Sequence, residues 1–216
     1  MIIAIDGTLA SGKGTIARQL SVLYHLPYMD TGQLYRATGV AAIKEQADFA
    51  DPETLARIAL SIDLNDYDEN QLRTAEAGQA ASKVAAVPAV RAALLDLQRA
   101  FAHQPNGAVL DGRDIGTVVC PEADVKLWVD ADIEARATRR WKELTAKGDT
   151  LSLEDMIAQL RERDNRDRTR ADAPMIAAAD SVLIDTTLLT IDAAVDKARA
   201  AVEAVLARKS DGSGSS

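Results

Sequence analysis

The segment of residues 7–15, GTLASGKGT, has the composition of a loop that grips phosphate. Its three glycines predict a backbone that turns with positive φ and approaches phosphate oxygens closely. Successive amides then point at the phosphates, and the N-terminus of a following helix adds its positive dipole end. Lys13 would supply a mobile charge for the β- and γ-phosphates of a nucleoside triphosphate. The residues predicted to bind the donor are Gly7, Thr8, Leu9, Ala10, Ser11, Gly12, Lys13, Gly14 and Thr15.

Two positions depart from the general phosphate-loop pattern. The residue after Lys13 is usually a Ser or Thr that reaches Mg²⁺, whereas here Gly14 follows and the hydroxyl comes at Thr15. The GKGT variant resembles nucleoside monophosphate kinases, which implies a metal held mostly by nucleotide phosphates and water, with Thr15 acting through water. Ala10 stands where those kinases often have a glycine, and we expect it to be tolerated if φ stays negative there.

Arginines form the second chemical signal, and they are densest in RERDNRDRTR, residues 161–170. On a helix, Arg163, Arg166, Asp167 and Arg170 fall on one stripe. A solvated face with ion pairs such as Arg163–Asp167 would give the same pattern. Five arginines without a lysine favour phosphate recognition, because the planar guanidinium binds phosphate through two hydrogen bonds.

Three further segments carry polar residues where a ligand could be bound. In DTGQLYR, residues 30–36, Thr31 could donate to a phosphate and Arg36 could clamp it. In DGRDIGTVV, residues 111–119, two acids, an arginine and two glycines follow an apolar run, which is typical of a ligand-facing loop. AASKVAAVPAVR, residues 80–91, offers Ser82 and Arg91, although taken alone it would be read as plain helix packing.

The elements that must position these residues alternate along the chain. Short apolar runs alternate with amphipathic stretches, which predicts an α/β fold with a five-stranded parallel sheet flanked by helices. The predicted strands are 2–5, 26–30, 107–111, 125–130 and 181–185. The predicted helices are 14–24, 33–46, 52–60, 73–102 (kinked or divided at Pro88), 132–147, 152–169 and 190–207.

We expect one domain over residues 1–208 with two mobile parts. A parallel crossover needs only about a dozen residues, so residues 31–104 predict an acceptor-binding insertion, and residues 142–170 predict a helical lid. The core would comprise residues 1–30, 105–141 and 171–208. Residues 209–216 are small and polar, and we predict a disordered tail there.

Composition narrows the functional classes. A net charge of −8 makes a general nucleic-acid binder improbable, so an anion site must be a local concentration of Arg and Lys. The single cysteine, Cys120, excludes an internal disulfide and fits a reducing compartment. With no predicted signal peptide and no membrane span, we expect a cytoplasmic protein that binds neither membrane nor nucleic-acid polymer.

At this point five segments, in this order, resemble the bacterial cytidylate kinases: IAIDGTLASGKGT, MDTGQLYR, AASKVAAVPAVR, LDGRDIGTVV and RERDNRDRTRADAP. The resemblance implies a P-loop kinase fold with a nucleoside monophosphate-binding insertion and a lid. It also implies phosphoryl transfer from ATP·Mg²⁺ to CMP or dCMP by a monomer. The acidic segment 60–74 is shorter than the insert that the family often carries, so the preference between CMP and dCMP stays open.

The resemblance further implies roles for single residues. The acceptor phosphate would be faced by Thr31, Arg36, Arg113 and Arg170. The pyrimidine ring would meet Ser82, Arg91 and Asp114, and the sugar would meet Arg163 and Asp167. The catalytic residues would be Lys13, Arg113, Arg163 and Arg170, with no general base. Cytosine presents an amine to Asp114, whereas uracil would place a carbonyl against that carboxylate.

Three other functions compete with this interpretation. A kinase for AMP, dTMP or shikimate would share the phosphate loop and the lid arginines but would not require AASKVAAVPAVR together with DGRD. A GTP-dependent switch needs a guanine-reading NKxD motif, and no Asn-Lys pair occurs in the sequence. An ATP-binding regulatory protein without turnover would not need a second set of phosphate-binding arginines.

Overall fold

Five strands form one all-parallel sheet in a computed structural model that describes residues 1–212, with side chains to residue 208. The strands are β1 (Ile2–Gly7), β2 (Tyr28–Asp30), β3 (Ala108–Gly112), β4 (Val125–Asp130) and β5 (Val182–Asp185). Their order is β2-β3-β1-β4-β5, which puts β1 at the centre. The predicted five-stranded parallel sheet is therefore confirmed.

The helices follow the predicted alternation. They are α1 (Lys13–Tyr24), α2 (Thr31–Lys44), α3 (Pro52–Leu60), α4 (Glu69–Leu72), α5 (Ala75–Val84), α6 (Pro88–Ala102), α7 (Ile133–Thr145), α8 (Leu153–Thr169) and α9 (Ile191–Gly212). A 3₁₀ turn spans Leu64–Asp66, and a π turn spans Ile115–Val119. No helix among the described residues is long and apolar enough to cross a membrane.

The structure bears on two sequence predictions, the division of the stretch 73–102 and the disordered tail 209–216. The stretch 73–102 is divided, and Pro88 is the first residue of α6, where its missing N–H costs no helical hydrogen bond. The predicted disordered tail is wrong for its first residues, because the backbone of α9 continues to Gly212. Residues 213–216 of that predicted tail lie outside the described residues.

The core of the sheet explains why its strands are apolar throughout. Ile3 and Ile5 of β1 face a cluster that includes Leu20 of α1 and Val202 of α9. Ala4, between them, faces the opposite cluster. Because helices cover both faces, β1 reads as a continuous apolar run instead of an alternating one.

Two helical regions carry their own smaller clusters. Between β2 and β3, helices α2, α3, α5 and α6 pack around buried residues that include Leu55, Ile58 and Leu94. Helices α7 and α8 pack around Leu144, Met156 and Leu160. Each region is thus held together partly by contacts of its own, beside the central sheet.

Candidate active site

The carboxyl ends of β1, β2 and β3 open on a cleft of about 420 Å³. This is the edge where open parallel sheets bind ligands. Its lining includes nine Arg or Lys side chains and five Asp or Glu side chains, so an acidic protein has a locally cationic cleft.

The phosphate loop connects β1 to α1, and two of its glycines have positive φ. Gly7 has φ of +152°, and a Cβ there would lie 1.9 Å from the Val129 carbonyl oxygen, so a side chain is excluded by the close approach of β4. Gly12 has φ of +92°, and a Cβ there would meet no protein atom within 4 Å. The prediction of positive φ was wrong for Gly14, because α1 already begins at Lys13.

The condition set for an alanine at position 10, a negative φ, is not met. Ala10 has φ of +61°, in the left-handed region. A side chain costs about 1–2 kcal/mol in that region because Cβ crowds the following carbonyl oxygen. The loop thus holds Ala10 in a strained conformation.

Three hydroxyl groups brace this loop from inside the protein. Thr8 Oγ1 donates to Asp130 Oδ1 at 2.6 Å, and Ser11 Oγ donates to the Thr8 carbonyl at 3.0 Å. Thr186 Oγ1, just beyond β5, donates to the Ser11 carbonyl at 2.7 Å. Thr8 and Ser11 are fully buried, and their hydroxyl groups are engaged within the protein.

Lys13 lies between the phosphate loop and the ends of β2 and β3. Its Nζ is 3.9 Å from Asp111 Oδ2, and Tyr28 donates to Asp111 Oδ1 at 3.2 Å. Burial lowers the pKa of Lys13 to about 8. Burial, together with the charge of Asp30, raises the pKa of Asp111 to about 6. Additional anionic oxygens beside Lys13 would therefore favour its charged form.

The same corner has the donors that a nucleotide-bound Mg²⁺ requires. Asp30 and Asp111 are paired in register across β2 and β3, and the exposed Thr15 lines the same cleft. No group of three or more His, Cys, Asp or Glu residues able to hold a metal exists among the described residues. Mg²⁺ keeps several waters and is usually bound through one or two carboxylates plus substrate phosphates, which the Asp30 and Asp111 carboxylates could provide together with a nucleotide.

A buried acid at the far end of the cleft is held by two arginines. Asp114 accepts a short hydrogen bond from Arg91 and another from Arg170 at 3.2 Å. Arg91 also lies 3.3 Å from Asp172 and packs over the ring of Tyr35. Asp114 therefore has a fixed orientation.

Other arginines of the cleft are paired with carboxylates from different segments. Arg113 Nε lies 3.2 Å from Asp167 Oδ2 of α8, which joins the loop after β3 to the arginine-rich helix. Arg36 lies 2.5 Å from Asp30. Thr31 is buried and donates to the Asp111 carbonyl at 2.8 Å.

Among the described residues Arg163 has no carboxylate within ion-pair distance, unlike Arg36, Arg91, Arg113 and Arg170. Its Nε is enclosed and, like the Nε of Arg36, has no hydrogen-bond partner in the described part of the chain. Burial lowers the pKa of Arg163 to about 10. A buried guanidinium nitrogen without a partner is costly, which marks this part of the cleft as suited to an anion.

All nine residues that the resemblance implied for the acceptor line this one cleft: Thr31, Arg36, Ser82, Arg91, Arg113, Asp114, Arg163, Asp167 and Arg170. Two of them, Arg170 and Ser82, have neighbours that the resemblance did not imply. Arg170, expected beside the acceptor phosphate, contacts Asp114 and the Ala173 carbonyl. Ser82 accepts a hydrogen bond from Arg166 at 2.8 Å, so the base-side residues also contact α8.

Sequence reasoning missed a second cavity on the other side of the phosphate loop. It measures about 280 Å³ and is lined by loop residues together with Arg139, Arg140, Thr186, Leu189 and Ile191. Arg139 donates to the Thr186 carbonyl at 2.6 Å, which fixes its guanidinium at the cavity. The available signal was DTTLLT, a polar run directly after the last strand.

Sequence reasoning also missed the role of Arg136. Its buried guanidinium donates to Asp164 of α8 at 2.7 Å and to the Ala131 carbonyl at 2.8 Å. A third, longer bond of 3.3 Å goes to the carbonyl of Leu9 in the phosphate loop. Arg136 thus connects the phosphate loop to the arginine-rich helix.

A phosphate loop facing an arginine-lined cleft across the open edge of a parallel sheet is the arrangement of a kinase that brings two nucleotides together. Fold and site place the chain among the P-loop kinases of the nucleoside monophosphate kinase type. A model of the cytidylate kinase family matches residues 3–204. The chain belongs to that family, as the resemblance implied.

Curated relatives agree with the family model. The chain is 57% identical over 201 residues to a cytidylate kinase of Cereibacter sphaeroides (strain KD131 / KCTC 12085), covering 93% of this chain and 94% of the relative. It is 51% identical over 207 residues to a cytidylate kinase of Caulobacter vibrioides (strain NA1000 / CB15N), covering 96% and 97%.

A solved structure supports the fold alone. The crystal structure of an uncharacterized protein from Eubacterium ventriosum ATCC 27560 matches with a TM-score of 0.55 and 13% identity. The match covers 94% of this chain and 98% of that chain.

Proposed function

We propose that the protein transfers the γ-phosphoryl group of ATP, bound with Mg²⁺, to CMP and dCMP, giving ADP and CDP or dCDP. The observation that carries this proposal is Asp114, a buried carboxylate held between Arg91 and Arg170 at the end of a cationic cleft. A fixed acceptor of this kind suits the exocyclic amine of cytosine. Uracil would set a carbonyl oxygen against it and leave a buried charge unpaired.

We assign the donor to the phosphate loop and the second cavity. The residues taken to hold the donor phosphates are Gly7, Thr8, Leu9, Ala10, Ser11, Gly12, Lys13, Gly14 and Thr15. The open side of Gly12 leaves room for phosphate oxygens. The adjoining cavity, with the fixed guanidinium of Arg139 and the apolar Leu189, suits a purine ring.

Mg²⁺ enters with the donor nucleotide. We expect Thr15 and the carboxylates of Asp30 and Asp111 to contact its waters, and the ion supplies charge neutralisation at the donor phosphates. This assignment is supported by the position of all three residues on one cleft.

We assign the acceptor phosphate to Thr31, Arg36 and Arg113, with Arg170 shared between the phosphate and Asp114. Ser82, Arg91 and Asp114 face the base, and Arg163 and Asp167 face the sugar. Phosphoryl transfer needs positioning and charge neutralisation more than covalent help. Lys13, Arg113, Arg163 and Arg170 supply that charge from both sides of the transferred group.

We further propose that residues 31–104 and 142–170 close over the two nucleotides and exclude water, which limits ATP hydrolysis. The hydrophobic cluster within residues 31–104 supports movement of the insertion as a unit. The cluster under residues 142–170 also includes Ala137 of α7, so closure there would involve α7 as well. A monomeric, cytoplasmic enzyme fits this proposal, and the molar mass from light scattering tests the monomer.

The experiment is an ADP-release assay with ATP·Mg²⁺ and, in turn, CMP, dCMP, UMP, AMP and dTMP. CMP and dCMP are expected to lead UMP in kcat/KM by at least about tenfold, which corresponds to 1.4 kcal/mol of discrimination. Asp114→Ala is expected to remove most of that lead. Asp172→Ala is the matched control, because Asp172 also contacts Arg91 but is half exposed. A lead for AMP or dTMP would contradict the proposal.

A further inference from the structure

The π turn that follows the DGRD loop begins at an acid that does not cap it. Asp114 is the N-cap of the turn Ile115–Val119, and its side chain makes no capping hydrogen bond. Asp is among the preferred N-cap residues because its carboxylate accepts from the first N–H groups of the turn. Here that carboxylate is bound by Arg91 and Arg170 instead.

The capping carboxylate comes from another element, the central strand β1. Asp6 Oδ1 accepts from the Ile115 N–H at 2.8 Å, and Asp6 Oδ2 accepts from the Gly116 N–H at 2.7 Å. Asp6 is only 4% exposed, so water does not compete effectively for these bonds. Two N–H groups that would otherwise lie buried and unpaired are thereby satisfied.

The glycine at position 116 leaves room for the Asp6 carboxylate and the Lys126 side chain to lie close to the turn. A Cβ at Gly116 would lie 3.1 Å from Cδ of Lys126 and 3.4 Å from Asp6 Oδ2. The first of these separations is tighter than ordinary van der Waals contact, so with a larger residue either the Lys126 side chain of β4 must move or the turn must shift away from it.

We propose that Asp6 is a positioning residue for acceptor specificity, because by capping the turn that starts at Asp114 it leaves the Asp114 carboxylate free to read the acceptor base. This inference rests on the proposed function, in which Asp114 faces cytosine. Without the Asp6 carboxylate, Asp114, which occupies the N-cap position, would be free to cap the N–H groups itself. A carboxylate that turns to cap its own turn gives up its contacts with Arg91 and Arg170.

The test is Asp6→Asn in the full chain at pH 8, with kcat/KM measured for CMP and UMP and KM measured for ATP. A carboxamide can accept from one N–H, but its NH₂ group opposes the other. The CMP-to-UMP ratio of kcat/KM is expected to fall about tenfold or more, mainly through KM for CMP. A tenfold change in this ratio corresponds to about 1.4 kcal/mol. KM for ATP is expected to stay within about twofold of the wild-type value.

Asp124→Asn is the matched control. Asp124 Oδ2 accepts from the Ile2 N–H at 2.8 Å, at the opposite end of β1 from the cleft. This substitution removes a carboxylate that accepts from the backbone of β1 far from the cleft, and the CMP-to-UMP ratio is expected to remain that of the wild type. Gly116→Ala displaces the same turn without removing a charge, so it is expected to lower the ratio if Asp6→Asn does not fold.

The outcomes separate this inference from the proposed function. If the wild type prefers CMP and Asp114→Asn loses that preference while Asp6→Asn and Gly116→Ala retain it, the role of Asp6 is refuted and the function stands. If KM for ATP rises in step with KM for CMP, Asp6 acts on the whole site and the inference also fails. If the wild type does not prefer CMP over UMP, the proposed function itself is wrong.

Discussion

Asp164 of α8 and Arg136 of α7 form a buried ion pair, with 2.7 Å between Asp164 Oδ2 and Arg136 Nη2. The arginine also donates to the carbonyl of Leu9, so one guanidinium contacts both the phosphate loop and the arginine-rich helix. Arg163, whose Nε has no hydrogen-bond partner among the described residues, is next to Asp164 in the sequence. Arg136 and Asp164 thus connect the phosphate loop to the helix that carries Arg163.

We predict that Asp164→Leu destabilises the fold by about 3 kcal/mol, because it removes the nearer carboxylate of a buried guanidinium and leaves only Asp130, 3.9 Å away. Urea unfolding followed by circular dichroism measures this. Asp196→Leu is the control, since the Arg199–Asp196 pair is exposed and worth no more than about 1 kcal/mol. An equal decrease in the free energy of unfolding for the two variants would show that the buried ion pair contributes no more to stability than the exposed one.

Ala10 is the position where the loop conformation conflicts with its residue. Its φ of +61° favours glycine, so Ala10→Gly is expected to raise the free energy of unfolding by up to about 1 kcal/mol after the entropy cost of glycine is included. The matched control is Ala204→Gly on the exposed side of α9, which is expected to cost about 1 kcal/mol. If both Ala10→Gly and Ala204→Gly lower the free energy of unfolding, the inference that Ala10 is strained is wrong.

The sequence was sufficient for the sheet and the phosphate loop because each has a local pattern. Ile3 and Ile5 stand in a β-branched run, and GTLASGKGT carries its own turn chemistry. The conformation at Ala10 was not predictable, since it depends on a loop braced by Thr186, which is distant in sequence.

The same limit applies to residues that act across elements. In the sequence Asp6 simply ends an apolar run, and nothing local indicates that it caps a turn more than a hundred residues away. Likewise, the neighbours of Arg170 depend on how α8 packs against the loop after β3. Patterns along the chain predict elements and residue types, whereas pairings between elements require the assembled structure.

The last prediction concerns the pH dependence of stability at Asp6. Burial raises the pKa of Asp6 from its ordinary value of 3.8 to about 7, against the lowering effect of its bonds to Gly116 and Ile115. The charged groups near it are Asp114 and Arg113 from the loop, and Lys126 of β4 lies beside Gly116. Between pH 4 and 7 the unfolded chain has lost this proton while the folded protein keeps it.

Rising pH therefore favours the unfolded state, by up to about 1.4 kcal/mol per pH unit for one proton. The unfolding free energy of the wild type minus that of Asp6→Asn is expected to decrease from pH 5 to pH 7 and to level off above pH 8. Urea titrations at pH 5, 6, 7 and 8 measure this difference, in which the effect of other groups common to both proteins cancels.

Asp51→Asn gives a control of opposite sign. A hydrogen bond from the Thr54 side chain lowers the pKa of Asp51, so its contribution to stability is present above about pH 4 and is lost as the pH falls further. The wild type is thus expected to keep a constant lead over Asp51→Asn from pH 5 to 8. A constant difference for Asp6→Asn over the same range would mean that the folded protein does not hold the Asp6 proton, and that the carboxylate is ionised throughout.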